Sequence, residues 1–454
     1  MQLWYAVKNK IHGKLKILLV TKEPIGNKLN AMGIRYFEFA KFLGTKYIVK
    51  LMAPYSGGDT SNFSFTYIPY SLKDCVYAVC EADVLIVTNP HPLILFIARL
   101  FNKKIILDLY DPTLIENLER IDCLPLKEKM QLNSIFRSWI KLQIQQSDHY
   151  LCANERQKSL WLGVLALLGK LNSKSYSHDK DAGELISMVP TGVSDSLPAK
   201  SHNVLRDVLP GIKETDRILL WVGAPSRFFD CTTLINAMGE ISKEKDDIKL
   251  VVMSGNPESS KLLKENVQLS NSLGLTNKTV YFIGEWVPYD KMADYYLESD
   301  VGISLHYSHL ETYFSMRNRT LGYLWGCLPV IATRGDFLAE LIEKNNWGIV
   351  VNEKDEHELV EAVTKLLNDS QTYQNCRNAI ERDMPDYRWS KVLTKLDAAV
   401  KLVGETRVEN RIFNVLSLVI GSTVLALKYI CYKFRYGSAR SRIEQSSLLG
   451  SHVQ

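Results

Sequence analysis

Val301-Gly-Ile-Ser-Leu-His-Tyr-Ser-His-Leu-Glu-Thr-Tyr-Phe-Ser-Met-Arg-Asn-Arg-Thr-Leu-Gly-Tyr-Leu-Trp-Gly-Cys-Leu-Pro-Val-Ile-Ala-Thr-Arg-Gly-Asp336 holds one complete turn of the pattern that decides the architecture. Residues 301–305 are a short apolar run, as expected of a buried strand. A polar loop follows, a helical pattern starts near Phe314, and a second apolar run at 329–333 closes the unit. Glu311 sits in the loop, and Arg317 and Arg319 lie in the first helical turns. Strand ends and helix starts meet at one edge of such a unit. A carboxylate able to accept from hydroxyls is thus set beside fixed positive charge. A nucleotide-sugar asks for both, one for its hydroxyls and one for its diphosphate.

The same alternation runs outward in both directions. Toward the N-terminus, residues 16–20, 47–52, 84–87 and 105–109 read as strands. Helical patterns occupy 34–43, 93–100, 134–145 and 154–171, and 173–181 reads as a loop. After Val189-Pro-Thr-Gly-Val193 the pattern restarts, with strands expected at 218–222, 249–253, 280–283, 301–305, 330–332 and 348–351. Strands alternating with helices predict an α/β chain with two Rossmann-like, doubly wound parallel sheets facing a cleft. Ligands of such sheets bind beyond the carboxyl ends of the strands. The expected division is an N-terminal domain over 1–195, rejoined by a return helix at 386–403, a C-terminal domain over 196–385, and a tail over 404–454.

Composition narrows the function. The 454 residues suffice for two or three cores, and 46% hydrophobic with 23% charged residues excludes wholesale disorder. A net charge of +5, from 55 basic and 50 acidic residues, does not call for a nucleic-acid partner. The eight cysteines at 75, 80, 123, 152, 231, 327, 376 and 431 form no CxxC pair, so reduced thiols in a cytoplasmic protein are expected. The apolar run at 17–20 is too short for a signal peptide. Residues 412–432, by contrast, are apolar for about the length that crosses ~30 Å of hydrocarbon, and Lys433, Arg435, Arg440 and Arg442 follow. Membrane association through this segment is expected. A buried helix of the globular fold is the alternative, and the basic cluster makes a shallow or re-entrant anchor one way to keep both ends cytoplasmic.

Several loops carry candidate chemistry. Gly33 at a helix start could let a phosphate approach backbone N–H groups, or serve a tight turn. Asp108, Asp111 and Glu116 crowd three carboxylates after a strand, where repulsion could raise a pKa for base or hydroxyl-positioning work. Asp111, before Pro112, could equally cap a helix. Gly223 permits close approach of a ligand, and Arg227 could meet a diphosphate or lie solvated in its loop. His306 and His309 have no third ligand nearby, so no metal site is expected.

Together these stretches resemble the retaining GT-B glycosyltransferases of family four, closest to a bacterial polysaccharide-type subgroup whose donor-domain helix reads roughly R-T-R-x-L-D-Y-L-W-A-G-L-P-V-V. Here the run is Arg317-Asn-Arg-Thr-Leu-Gly-Tyr-Leu-Trp-Gly-Cys-Leu-Pro-Val-Ile331. Met32-Gly-Ile-Arg-Tyr36, Asp108-Leu-Tyr-Asp-Pro112, Val189-Pro-Thr-Gly192, Glu285-Trp-Val-Pro288 and Arg334-Gly-Asp336 also look like that subgroup, over about residues 14–400. The resemblance implies sugar transfer from a nucleotide-diphosphate sugar to an acceptor, with retention and without an essential metal, and no cofactor is expected. The apolar tail segment favours a glycan or lipid-linked saccharide as that acceptor, since tethering raises its concentration at the surface. The resemblance also implies Glu311 near the donor sugar, Arg317 and Arg319 facing the diphosphate, and Asp111 near the reacting sugar. Taken with the loop readings above, Glu311 and Asp111 are expected as catalytic groups, Gly33, Gly223, Arg227, Arg317 and Arg319 on the donor, and Asp108 and Glu116 on the acceptor side. Gly322 stands where the family has a second acidic residue, Tyr110 where it usually has histidine, and no lysine follows Gly223. A non-catalytic, membrane-anchored module and a nucleotide-sugar epimerase are the alternatives.

Overall fold

Leu18 and Leu19 of the first strand are fully enclosed, as are their neighbours on either side, because that strand runs through the middle of a parallel sheet. The structure is a computed structural model that describes residues 14–26, 29–55, 57, 63–223, 225–254, 261–405 and 411–438. Asn27 and Lys28 of the first loop, Ala224 after Gly223, and Arg440 and Arg442 of the tail lie outside these residues.

The first sheet comprises β1 (Lys16–Val20), β2 (Ile48–Ala53), β3 (Thr66–Pro69), β4 (Val84–Val87), β5 (Lys104–Asp108), β6 (His149–Cys152) and β7 (Ile186–Met188), in the order β3-β2-β1-β4-β5-β6-β7. The second comprises β8 (Arg217–Val222), β9 (Ile248–Met253), β10 (Val280–Ile283), β11 (Val301–Ser304), β12 (Val330–Thr333) and β13 (Gly348–Val351), in the order β10-β9-β8-β11-β12-β13. The pairings are parallel, with Val20 opposite both Met52 and Val87 in the first sheet, and Val301 opposite Leu219 in the second. Strand order reverses beside β1 in one sheet and beside β8 in the other. A ligand crevice belongs at such reversals.

Several expectations need correction. Residues 173–181, read as a loop, contain the helix Ser173–His178, started by an Asn172 capping box. The edge strand β3 and the short β6 and β7 had not been expected. The helix read as starting near Phe314 is two helices, Leu310–Phe314 and Asn318–Trp325. The segment expected as a single return helix is two, Trp389–Val392 and Thr394–Glu405. Trp389, Leu396 and Val400 from this segment pack with Ile17, Leu19 and Ile106 of the first sheet, so the chain comes back to its own beginning. It crosses between the sheets twice at one place, where the Val193 N–H donates to Tyr387 O at 2.8 Å and the Trp389 N–H to Val193 O at 2.9 Å.

The apolar tail segment has a polar, packed inner face. The helix Arg411–Tyr436 lies along Leu126–Gln145 and Pro92–Leu100. Its inner face buries Leu418 and Tyr432, and a Cβ on Gly421 would stand 2.6 Å from Leu142. By length and composition Val415–Tyr436 suits a membrane span. Here it is a docked helix.

Candidate active site

A cleft of about 1650 Å³ opens between the two sheets, at their reversal points. Thr21, Lys22 and Glu23 after β1, Thr88 and Asn89 after β4, and Asp108 to Asp111 at the end of β5 form one wall. Val222 and Gly223 after β8, with Arg317, Asn318 and Arg319, form the other.

The position of the helix Asn318–Trp325 follows from two glycines. A Cβ on Gly302 would stand 2.3 Å from the Tyr323 ring, so glycine lets this helix lie close on β11. The Tyr323 hydroxyl then donates to Ile303 O at 3.0 Å and accepts from the Val222 N–H at 2.8 Å. One phenol thus pins the ends of β8 and β11 to the helix. Gly322, one turn on from the two arginines, faces Tyr296, whose hydroxyl lies 2.3 Å from where a Cβ would be. Tyr296 fills the space into which any acidic side chain at 322 would project.

Arg319 is held between aromatic faces, its guanidinium 3.7 Å from the centre of the Phe229 ring and 4.9 Å from that of Trp221. Among the described residues its Nη1 has no hydrogen-bond partner, although it is sealed from solvent. Burial, reinforced by the Arg317 charge, brings its pKa down to about 10. It still carries its proton at neutral pH. Gly223 is the neighbour that makes room: its φ is +99°, a conformation that disfavours side chains, and a Cβ there would stand 3.2 Å from Arg319 Nη2. Arg317 differs. Its Nη2 donates to Glu311 Oε2 at 2.7 Å and to Thr312 Oγ1 at 3.1 Å, and its Nη1 to Glu311 Oε1 at 3.3 Å.

Glu311 therefore stands behind Arg317 rather than on the cleft surface. It is buried, and Ser315 Oγ also donates to its Oε1. Asp108 reaches the opposite wall with both oxygens taken, at 2.8 and 3.0 Å from the Arg35 guanidinium. Arg35, which lies on the inner face of Ala31–Gly44, is fully buried and also donates to Val189 O at 2.8 Å. A basic residue four positions before Phe39, on a stripe otherwise apolar, is the signal that could have marked it, since a buried charge needs a partner.

Asp111 lines the cleft and has no such cation paired with it among the described residues. Burial, with the charges of Glu116, Asp108 and Glu311, outweighs Arg35 and pushes its carboxyl up to about 8. It does not cap the following helix, whose N-terminus makes no side-chain capping bond. Glu116 also lines the cleft but pairs with Arg120 at 2.6 Å. Gly33 and Arg227 are placed away from the cleft surface. The Gly33 N–H donates to Asn30 Oδ1 at 2.8 Å, and a Cβ there would stand 2.5 Å from Pro24 O, so close packing is what its glycine serves. Arg227 spans the two units, donating to Glu119 O at 2.9 Å. His309 caps Leu310–Phe314 by accepting from the Thr312 N–H, and His306 is enclosed 3.4 Å from Asp336.

Tyr110, Thr191 and Asn318 were not singled out as site residues. Tyr110 donates to Asn318 Oδ1 and accepts from Thr191 Oγ1 at 2.8 Å, tying the first sheet, the crossing point and the arginine helix together. Burial raises the Tyr110 phenol well above its ordinary value.

Residues 216–369 match the family model for glycosyl transferases group 1. No curated protein matches the chain. Among solved structures, the chain superposes on Anabaena HepE in complex with UDP-glucose with a TM-score of 0.61 at 14% identity, covering 85% of this chain and 99% of that one. WaaG, a glycosyltransferase involved in lipopolysaccharide biosynthesis, superposes with a TM-score of 0.59 at 14% identity over 85% and 99% of the two chains. A glycosyltransferase from Rickettsia africae gives 0.58 at 15% identity over 87% and 100%. The fold is that of the GT-B proteins, with one additional apolar helix at its C-terminal end.

Proposed function

We propose that this protein is a glycosyltransferase that takes a sugar from a nucleotide-diphosphate sugar and passes it to a hydroxyl of a glycan or lipid-linked saccharide. The observation that carries this reading is Arg319: a half-buried guanidinium at the cleft wall, one nitrogen enclosed and unpartnered and no carboxylate paired with it among the described residues, beside a glycine turn that leaves room for a ligand. An uncompensated buried cation is costly unless an anion joins it. A diphosphate supplies that anion. The match of residues 216–369 to glycosyl transferases group 1 supports the same assignment for the second sheet unit.

In this scheme the diphosphate lies against Arg319, and Gly223 lets it come close. When the bond from sugar to diphosphate breaks, negative charge grows on the departing phosphate oxygen, and the fixed guanidinium stabilises it. Arg317 adds a second positive group, oriented by Glu311. The two arginines fill the cationic role, so the scheme is metal-independent and uses no cofactor. Asp111, on the facing wall, accepts the hydrogen bond of the incoming hydroxyl. Glu116 lines the acceptor side with it, while Asp108 holds Arg35 and shapes the wall. We read the transfer as retaining and the pathway as cell-surface polysaccharide or glycolipid synthesis on the cytoplasmic side, where eight unpaired cysteines are at home.

The test is a panel of nucleotide-sugars against the full chain, scored for thermal stabilisation and for nucleotide release. One donor should raise the melting temperature, and Arg319→Ala should lose that rise while keeping its own cooperative transition. Failure of every donor to stabilise a folded sample would overturn the reading. Tyr296, filling the space beside Gly322, favours one alternative, a module that binds a nucleotide-sugar without turning it over. Stabilisation without release in the presence of acceptor would establish that alternative.

A further inference from the structure

We propose that the outer face of the helix Arg411–Tyr436, together with an adjoining stripe of Leu126–Gln145, seats on an anionic lipid surface, with the helix lying in the plane of the interface rather than crossing it. The proposal goes beyond sugar transfer and does not depend on it.

The helix has two faces. Leu418, Lys428 and Tyr432, at helical spacing, point inward, and two of them are anchored by polar contacts with Leu126–Gln145. Lys428 Nζ donates to Ser134 Oγ at 2.9 Å and Ser138 Oγ at 2.7 Å. The Tyr432 hydroxyl donates to Glu128 Oε1 at 2.8 Å, where both residues are fully enclosed. A pose spanning the bilayer would strip these partners away and strand a lysine and a buried carboxylate. The inner face thus argues against crossing.

The outer face argues for lipid. Leu416, Val419, Ile420, Val424, Leu427, Ile430 and Phe434 recur at three- and four-residue steps, and all are exposed, Phe434 at 91%. At ~1.5 Å per residue the stretch from Leu416 to Phe434 makes an apolar ridge roughly 28 Å long. So long a ridge needs a cover. Charge says which. Lys433 and Arg435 fall to either side of the ridge, about 100° from its centre at ~100° per residue. The neighbouring helix adds Leu126 and Met130, 72% and 66% exposed, in one stripe with exposed Arg137 and Lys141. Apolar side chains bordered by cations are the pattern of a helix resting among acidic headgroups. A second protein copy would have to bury these cations against each other.

The arrangement also orients the enzyme. The remaining side of Leu126–Gln145 gives Phe136, Trp139 and Ile140 to the cleft wall. One helix therefore separates the lipid-facing ridge from the cleft, so a saccharide on a lipid carrier would arrive beside Asp111.

Flotation of the full chain with phosphatidylcholine vesicles, with and without phosphatidylglycerol, tests this with no nucleotide-sugar present. Binding should be at least about tenfold stronger on the anionic vesicles. Leu427→Glu with Ile430→Glu should abolish it while leaving the thermal transition in place, since both residues point away from the fold. Bound protein should be released by alkaline carbonate. Equal flotation of wild type and the double variant would overturn the proposal, and so would resistance to carbonate, which marks a spanning helix. A dimer in sedimentation that the double variant dissolves, with no vesicle binding by either, would assign the ridge to a second copy and overturn it as well.

Discussion

Arg319 and Asp111 lie on opposite walls of the cleft with opposite electrostatic problems, a cation with no paired anion among the described residues and a carboxyl that burial and like charges keep protonated. The Asp111 problem is measurable without substrate. A carboxyl held up to about 8 in the native state keeps a proton that the unfolded chain has lost above the ordinary aspartate value of ~4. Native protein then binds more protons than unfolded protein, so stability must fall as pH rises between those values. Relative to Asp111→Asn, the wild type should lose up to ~1.4 kcal/mol per pH unit in urea titrations run across that range. Parallel pH profiles for the two proteins would place the ordinary carboxylate value on Asp111. Asp108 poses the reverse case, since its charge already has Arg35. Asp108→Asn should cost about 3–5 kcal/mol by leaving the Arg35 guanidinium buried and unpaired. Arg35→Met should cost at least ~3 kcal/mol, whereas Asp108→Asn with Arg35→Met should be milder than their sum, and additive losses would argue against a coupled pair. The carboxylate crowd around 108–116 was legible in the sequence because proximity in sequence is proximity in space there. Which oxygen was free was not, because Arg35 lies 73 positions away from Asp108.

The elements that aim these groups are a turn and a short helix. Asn318–Trp325 has eight residues, too few to stand alone, and its placement depends on the Tyr323 hydroxyl and on the absence of side chains at 302 and 322. At Gly322 the tyrosine hydroxyl, the end of a ring from another helix, is what a methyl would meet. Gly322→Ala should therefore lower stability by ~1–3 kcal/mol through overpacking, despite the gain in helix propensity. Combining it with Tyr296→Phe, which removes the nearest atom, should return part of the loss, read from paired denaturation curves; no coupling would mean the ring simply rotates aside. The strand–helix pattern that fixed the fold was legible wherever strands ran through sheet centres as apolar runs. It failed at β6, where His149 is buried because Glu184 O and Ser187 Oγ lie 2.8 and 2.9 Å from its ring nitrogens. It failed again at β3, an edge strand, and at β7, only three residues long. Satisfied polar groups and edges carry no hydropathy signal. The polar inner face of the tail helix was not legible for a related reason: a serine pair on one helix satisfies a lysine on another, and neither sequence segment shows it alone.

At the scale of the whole molecule, the two sheet units are held shut by side chains of the first that reach backbone carbonyls of the second. Gln157 Nε2 donates to Phe314 O at 3.0 Å, and Arg156 Nη1 donates at 2.8 Å each to Tyr313 O and Gly335 O. Arg156 also pairs with Glu340 and stacks 4.1 Å from the centre of the Tyr313 ring. These contacts fall on the end of Leu310–Phe314 and on the turn after β12, on either side of the arginine helix in sequence, so a change in how the two units meet should also move Arg317 and Arg319. The restart of the strand–helix pattern after the Pro-Thr-Gly break at 190–192 was legible, but the latch was not, because its acceptors are carbonyls that any residue supplies. A protein that binds its donor only when shut shows an affinity reduced by the fraction of time it spends open. Arg156→Ala removes the largest of these contacts while leaving the cleft walls untouched. It should raise the radius of gyration in small-angle scattering and weaken donor binding by about three- to tenfold, with saturating donor restoring the compact profile. An unchanged scattering curve together with an unchanged donor affinity would mean that the Pro-Thr-Gly crossing, with its two reciprocal bonds between Val193 and the 387–389 strand of chain, is rigid enough to hold the cleft closed without a latch.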